Sequence, residues 1–201
     1  MTGSLAVGIG VGVLVLTAIG LVLFTRHRRQ THSRRVLAGE LDARLAERVP
    51  TGTASHLEQS PTVRRIAVVD SETETPLVVP IVRVEFETTD APGMKLVLEY
   101  VAAVLEAIHP VLDGREERVD HYDVEFTFGP GGLFVEGECR RVSVTPALAT
   151  RLLEQERYGA FELWRAVKRA DRNDDTPTTL WGDCRNDHNR QPAESATRDD
   201  R

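Results

Sequence analysis

The chain has 201 residues, 41% of them hydrophobic, with two cysteines and a formal net charge of −6. Two cysteines cannot staple a small disulfide scaffold, and ordinary glycine and proline contents exclude collagen-like and wholly disordered chains. Beyond any membrane segment, the remaining length suffices for one domain of roughly 100–150 residues.

Residues 1–4 read as a short extracytoplasmic N-terminus. Leu5 to Phe24 then form an uncharged run, LAVGIGVGVLVLTAIGLVLF. A helix of that length covers about 30 Å, the thickness of the hydrocarbon core. A cleavable signal peptide needs a basic leader, which Met1-Thr2-Gly3-Ser4 lacks, so the run is read as a spanning anchor. Arg26, Arg28, Arg29, Arg34 and Arg35 crowd its C-terminal flank. Cationic flanks stay on the cytoplasmic side, which predicts an outside N-terminus and a cytoplasmic C-terminal domain. The same arginines are candidates for contact with anionic headgroups. Gly8 and Gly12 lie one helical turn apart and form a candidate face for homodimerisation.

Residues 25–49 combine this basic flank with an amphipathic helix. Leu37, Leu41, Leu45 and Val49 fall four apart, a stripe read as lying on the membrane, pairing with a twin or extending the anchor inward. Pro50 to Thr62, with Thr51-Gly52-Thr53 and Ser60-Pro61, reads as a linker. From residue 36 onward there are 31 acidic and 20 basic side chains. That acidic balance argues against nucleic acid, which wants a basic footprint.

Residues 63–170 are expected to form the cytoplasmic α+β domain, in the order ββαββα. Arg65–Asp70 and Leu77–Thr88 are strands, and in the second Val82, Val84 and Phe86 alternate with Arg83, Glu85 and Glu87. Asp90 is a candidate cap for a helix in which Met94, Val97, Val101, Leu105 and Ile108 share a face. His109-Pro110 should end it. Val119–Phe128 and Leu133–Val144 follow as strands around Gly129-Pro130-Gly131-Gly132. Thr145-Pro146 opens the last helical region, which should break near Gly159. Alternating strands predict a largely antiparallel sheet with one solvated face and both helices on the other, a two-layer sandwich. Residues 171–201 are polar and expected to be disordered, apart from an apolar island at Trp181 that is expected to fold back on the domain or dock on a partner.

A four-residue hairpin loop sets Phe128 opposite Leu133, Phe126 opposite Val135 and Tyr122 opposite Cys139. On the other face it sets Glu125 against Glu136, Asp123 against Glu138 and His121 against Arg140. Facing like charges are unfavourable. Glu85, Glu87, Asp123, Glu125, Glu136 and Glu138 are therefore the candidate surface for a basic protein partner, against the plainer reading of a solvated face. Cys184 and His188 make only half a zinc site, so two free thiols and no metal or cofactor are expected. The chain carries no Gly-x-Ser-x-Gly, His-Glu-x-x-His or phosphate-loop motif. The reading is a membrane-anchored binding, scaffold or regulatory domain at the cytoplasmic face. The alternative is a tethered enzyme with a site near His121 and Asp123.

Overall fold

The computed structural model describes residues 32–49, 51, 57, 59–69, 76–88, 90–129, 137–173 and 176–184. The expected anchor at Leu5–Phe24 lies outside these residues, and no helix among them is long and apolar enough to cross a membrane. The chain divides into two compact units, Met1–Glu40 and Leu41–Arg201. In the first, residues 32–40 begin helix α1, which continues to residue 48.

The second unit is an α+β fold. Its strands are β1 (Thr62–Val69), β2 (Leu77–Glu85), β3 (Arg118–Val119), β4 (Tyr122–Phe128), β5 (Glu138–Val144) and β6 (Thr179–Asp183). Its other helices are α2 (Met94–Asp113), α3 (Pro146–Glu154) and α4 (Ala160–Ala170). The sheet runs β1-β2-β4-β5-β6, with β3 beside β2. Strand pairs β1–β2, β4–β5 and β5–β6 are antiparallel, whereas β2 pairs with β3 and β4 in parallel. The sheet is thus mixed rather than largely antiparallel. The cause is α2: a helical crossover between β2 and β4 returns the chain to the end where β2 began, so the next strand runs the same way.

The helices contribute to the core much as their periodicity requires. Val97, Val101, Leu105 and Ile108 on α2 are fully buried. Tyr100 meets Phe86 edge-on at 5.2 Å, and His109 meets Tyr122, which seats α2 on the face carrying Val82, Val84, Val124, Phe126, Val142 and Val144. Helices α3 and α4 pack against α2.

Helix α2 departs from expectation at both ends. It begins after Gly93 with no side-chain cap, so Asp90 is not its cap. It passes through Pro110 to Asp113, because burial of His109 and Leu112 outweighs the one backbone donor that proline removes. The break between α3 and α4 falls at residues 155–159, as expected. Pro146 opens α3, though the Thr145 hydroxyl makes no capping bond.

The folded body is larger than the 63–170 expected. Leu41, Leu45 and Val49 are buried within it, and the Val63 N–H donates to the Asp42 carboxylate at 2.6 Å. This part of the leucine stripe is core, not a lipid or dimer face. At the other end, β6 occupies part of the expected disordered tail. Trp181 stacks on Phe128 and tilts over Phe126, each at 6.1 Å between centroids. The apolar island folds back on its own domain.

The hairpin register also differs. Tyr122 faces Val144, Val124 faces Val142 and Phe128 faces Glu138, so partners fall five residues later than expected. An odd shift exchanges the two faces of a strand. Val142 and Val144 therefore point into the core, and the pairing of β5 with β4 runs without a bulge. Gly129 adopts φ +99°, and a Cβ on Gly137 would sit 2.8 Å from the Phe128 carbonyl oxygen. Glycine is required at both ends of this connection.

Candidate functional site: a charged sheet face

Parallel pairing of β2 with β4 brings Arg83 beside Glu125 and Ile81 beside Asp123. Antiparallel pairing of β4 with β5 brings Arg141 opposite Glu125 and Ser143 opposite Asp123. The expected oppositions of Glu125 with Glu136 and Asp123 with Glu138 do not form. Each buried acid on this face lies among cations.

Glu125 is 4% exposed. Its carboxylate accepts from Arg64 Nη1 at 2.9 and 3.2 Å and from Arg83 Nη2 at 3.1 Å. Asp123 is 3% exposed and accepts from the Ser143 hydroxyl at 2.6 Å, with Arg141 Nη1 and His121 Nε2 each at 3.4 Å. The longer pair of contacts is mainly charge–charge, since 3.4 Å is loose for a hydrogen bond. The middle of this face is not solvated, as Val79, Ile81 and Ser143 are buried there too. Arginine stems cover apolar surface while their guanidinium groups meet the acids.

The break between β3 and β4 positions His121. Four residues lead from Val119 to Asp123 where three lead from Val78 to Ile81, so one residue is extra. Such a bulge re-aims side chains. Here it sets His121 Nδ1 2.7 Å from Asp120 and its Nε2 toward Asp123. Burial alone would lower the His121 pKa, but hydrogen bonds and charge from Asp123 and Asp120 outweigh it and raise it. Burial alone would raise Asp123, but His121, Arg141 and Ser143 hold it below the usual carboxylate range. Each group thus favours the charged form of the other.

Its chemistry follows from its order. In a nucleophilic triad the histidine stands between hydroxyl and acid. Here Asp123 stands between Ser143 and His121, so the Ser143 hydroxyl donates to a carboxylate and meets no base. A second histidine, His109, is buried on α2. Its Nδ1 is 2.6 Å from the Tyr122 hydroxyl and its Nε2 is 3.0 Å from Thr150 Oγ1, which itself donates to the Pro146 carbonyl. Nε2 therefore carries the proton and Nδ1 accepts from Tyr122. Burial lowers the His109 pKa against the opposing charges of Asp113 and Glu154, which favours the neutral ring.

The remaining candidates are scattered. Glu85 and Glu87 are exposed at the end of β2 and just beyond it. Glu138 is exposed and bonds Arg140 at 2.6 Å on the opposite face, and Arg140 also bonds Asp183 at 2.6 Å. Glu136, Gly8, Gly12, Arg26, Arg28 and Arg29 lie outside the described residues. Arg34 is half-buried and Arg35 exposed on α1.

Cys139 and Cys184 are not free thiols: they form a disulfide, with Cα atoms 5.5 Å apart, joining β5 to the end of β6. One atom of the Glu125 carboxylate lies within 4.8 Å of both sulfurs. A disulfide offers no thiolate to a metal, and that carboxylate is already held by two arginines. His188 lies outside the described residues.

Sequence reasoning missed Arg64 and Arg141 as the partners of the acids. The available signal was the pair of adjacent arginines in β1 (Arg64-Arg65) and in β5 (Arg140-Arg141), which becomes readable only once the strand order is known. Comparison with known protein families, with curated proteins and with solved structures finds no match for this chain.

Proposed function

We propose that this chain is a single-pass membrane protein whose Leu5–Phe24 helix holds a two-layer α+β domain at the cytoplasmic face, where the domain works by binding a protein partner. The observation that carries the binding reading is the order Ser143–Asp123–His121, in which the acid separates hydroxyl from base. This arrangement suits a rigid ion-paired plate rather than nucleophilic chemistry. Among the described residues, the contact surface for a basic partner narrows to Glu85 and Glu87, since Asp123 and Glu125 are buried and neutralised and Glu138 is paired with Arg140 on the opposite face. Affinity purification of the full chain from membranes, compared with Glu85→Lys/Glu87→Lys, tests this. Loss of a co-purifying basic protein supports the reading, and unchanged recovery overturns it. Alkaline carbonate washing tests the anchor, which must resist extraction. Crosslinking against Gly8→Ile tests pairing through the anchor.

One observation favours a second topology. Disulfides persist in oxidising compartments, and the Cys139–Cys184 bond therefore pulls against the arginine flank, favouring a domain on the outer side. Protease added to intact cells separates the two: digestion of the domain supports the outer placement, and protection supports the inner one.

A further inference from the structure

Helix α4 carries a basic and aromatic surface, against the acidic balance of the chain from residue 36 onward. Its inward side buries Leu163 and Val167. Its outward side presents Phe161, 60% exposed, with the half-buried Trp164, with Arg165, Lys168 and Arg169, and with Arg172 just past its end, around an open depression of about 320 Å³. The aromatic rings lie 5.7 Å apart, and the Lys168 ammonium sits 5.0 Å over the Trp164 ring. Among the described residues, the acids nearest in sequence are Glu162 and Asp171. Glu162 accepts from the Gly159 N–H at 3.1 Å, and Asp171 accepts from the Leu180 N–H at 3.1 Å.

We propose that this outward face of α4 docks on an anionic phospholipid surface. Three features support that occupant. Four cations gathered within two to three turns complement a negatively charged leaflet, each contributing attraction close to the surface. Tryptophan and phenylalanine are the side chains that settle at the headgroup boundary, and basic residues beside them are the pattern of interfacial helices. The inference also rests on the membrane-anchor reading, which keeps the domain within reach of such a surface whichever side it occupies.

The test uses the full chain with Trp181→Phe, so that Trp164 is the sole tryptophan. It is reconstituted in vesicles of phosphatidylcholine alone or mixed equally with phosphatidylglycerol, with brominated acyl chains as quenchers. Docking predicts blue-shifted emission and lipid quenching of Trp164 in the anionic vesicles only. Arg165→Gln/Lys168→Gln should reduce the docked-to-undocked ratio roughly 30-fold. Equal exposure of Trp164 to aqueous iodide in both vesicle types overturns the proposal, as does quenching that the double variant leaves unchanged. A response to soluble polyglutamate but not to phosphatidylglycerol assigns the face to an acidic protein and overturns it as well. Carbonate extraction of the same vesicles reads the anchor separately. Chain released by the wash, yet quenched by lipid before it, sinks the anchor and keeps the docking.

Discussion

Reduction of the Cys139–Cys184 bond should lower stability by an amount that chain statistics fix in advance. The cysteines are 45 residues apart in sequence. Releasing a loop of that length returns about 13 cal/mol/K of entropy to the unfolded chain, or about 4 kcal/mol at 25 °C. The folded state loses little in exchange, because β6 keeps its ladder to β5 and Trp181 keeps its stack on Phe128. The full value is an upper bound, since compact unfolded chains have less entropy to regain. Urea unfolding of the full chain in detergent, followed by tryptophan fluorescence with and without reductant, measures the effect. A urea slope of about 2 kcal/mol/M places the reduced midpoint roughly 2 M lower. Cys139→Ser/Cys184→Ser should match the reduced protein. Two titratable thiols appearing with no movement of the midpoint would refute the reasoning.

Three further outcomes follow from the charged face and the hairpin. Glu125→Gln leaves Arg64 and Arg83 without their shared carboxylate; both arginines are partly exposed, so the loss should be about 1–2 kcal/mol in urea unfolding, and high salt, by screening the pairs, should weaken the unaltered chain but not the variant and so narrow the gap. The two histidines should titrate on opposite sides of the ordinary imidazole value by NMR: His109, an Nε2–H tautomer when neutral, below it, and His121 above it. The raised pKa of His121 contributes stability present below about 6.5 and lost as pH rises through its folded value, while the lowered pKa of Asp123 contributes stability present above about 3.9 and lost as pH falls through its folded value. Their interaction should therefore be fullest between about pH 4 and 6.5, and His121→Gln should remove the alkaline decline that it causes. Gly137→Ala drives a methyl group against the Phe128 carbonyl, which is fixed backbone, and should cost about 1–3 kcal/mol by the same unfolding measurement.

What the sequence revealed depended on distance along the chain. The buried face of α2, the Thr145-Pro146 start of α3 and the interruption near Gly159 are local patterns, and each reappears in the fold. The stripe at Leu41 and Leu45 was visible as amphipathic, but its destination was not, since periodicity marks a buried face without naming what buries it. The register of β4 with β5 failed because Leu133 and Val135 alternate as convincingly as Val142 and Val144, and only the loop length separates the two solutions. The acids at Asp123 and Glu125 looked like a repulsive strip because the parallel placement of β2 beside β4, which brings Arg83, and the register of β5, which brings Arg141, are set by tertiary pairing and not by local pattern. β6 was missed because TLWGD is a brief apolar stretch in polar surroundings, and its disulfide partner lies far upstream.

That late strand has a consequence for how the protein is made. β6 follows every other strand of the sheet in the chain, so a nascent domain displays the Phe126–Phe128 surface and an open β5 edge until Thr179–Asp183 arrive. Unpaired edges beside exposed aromatics invite intermolecular pairing. Ribosome stalling or premature termination before Thr179 should thus yield a sticky product that chaperones and proteases can tell from the finished one.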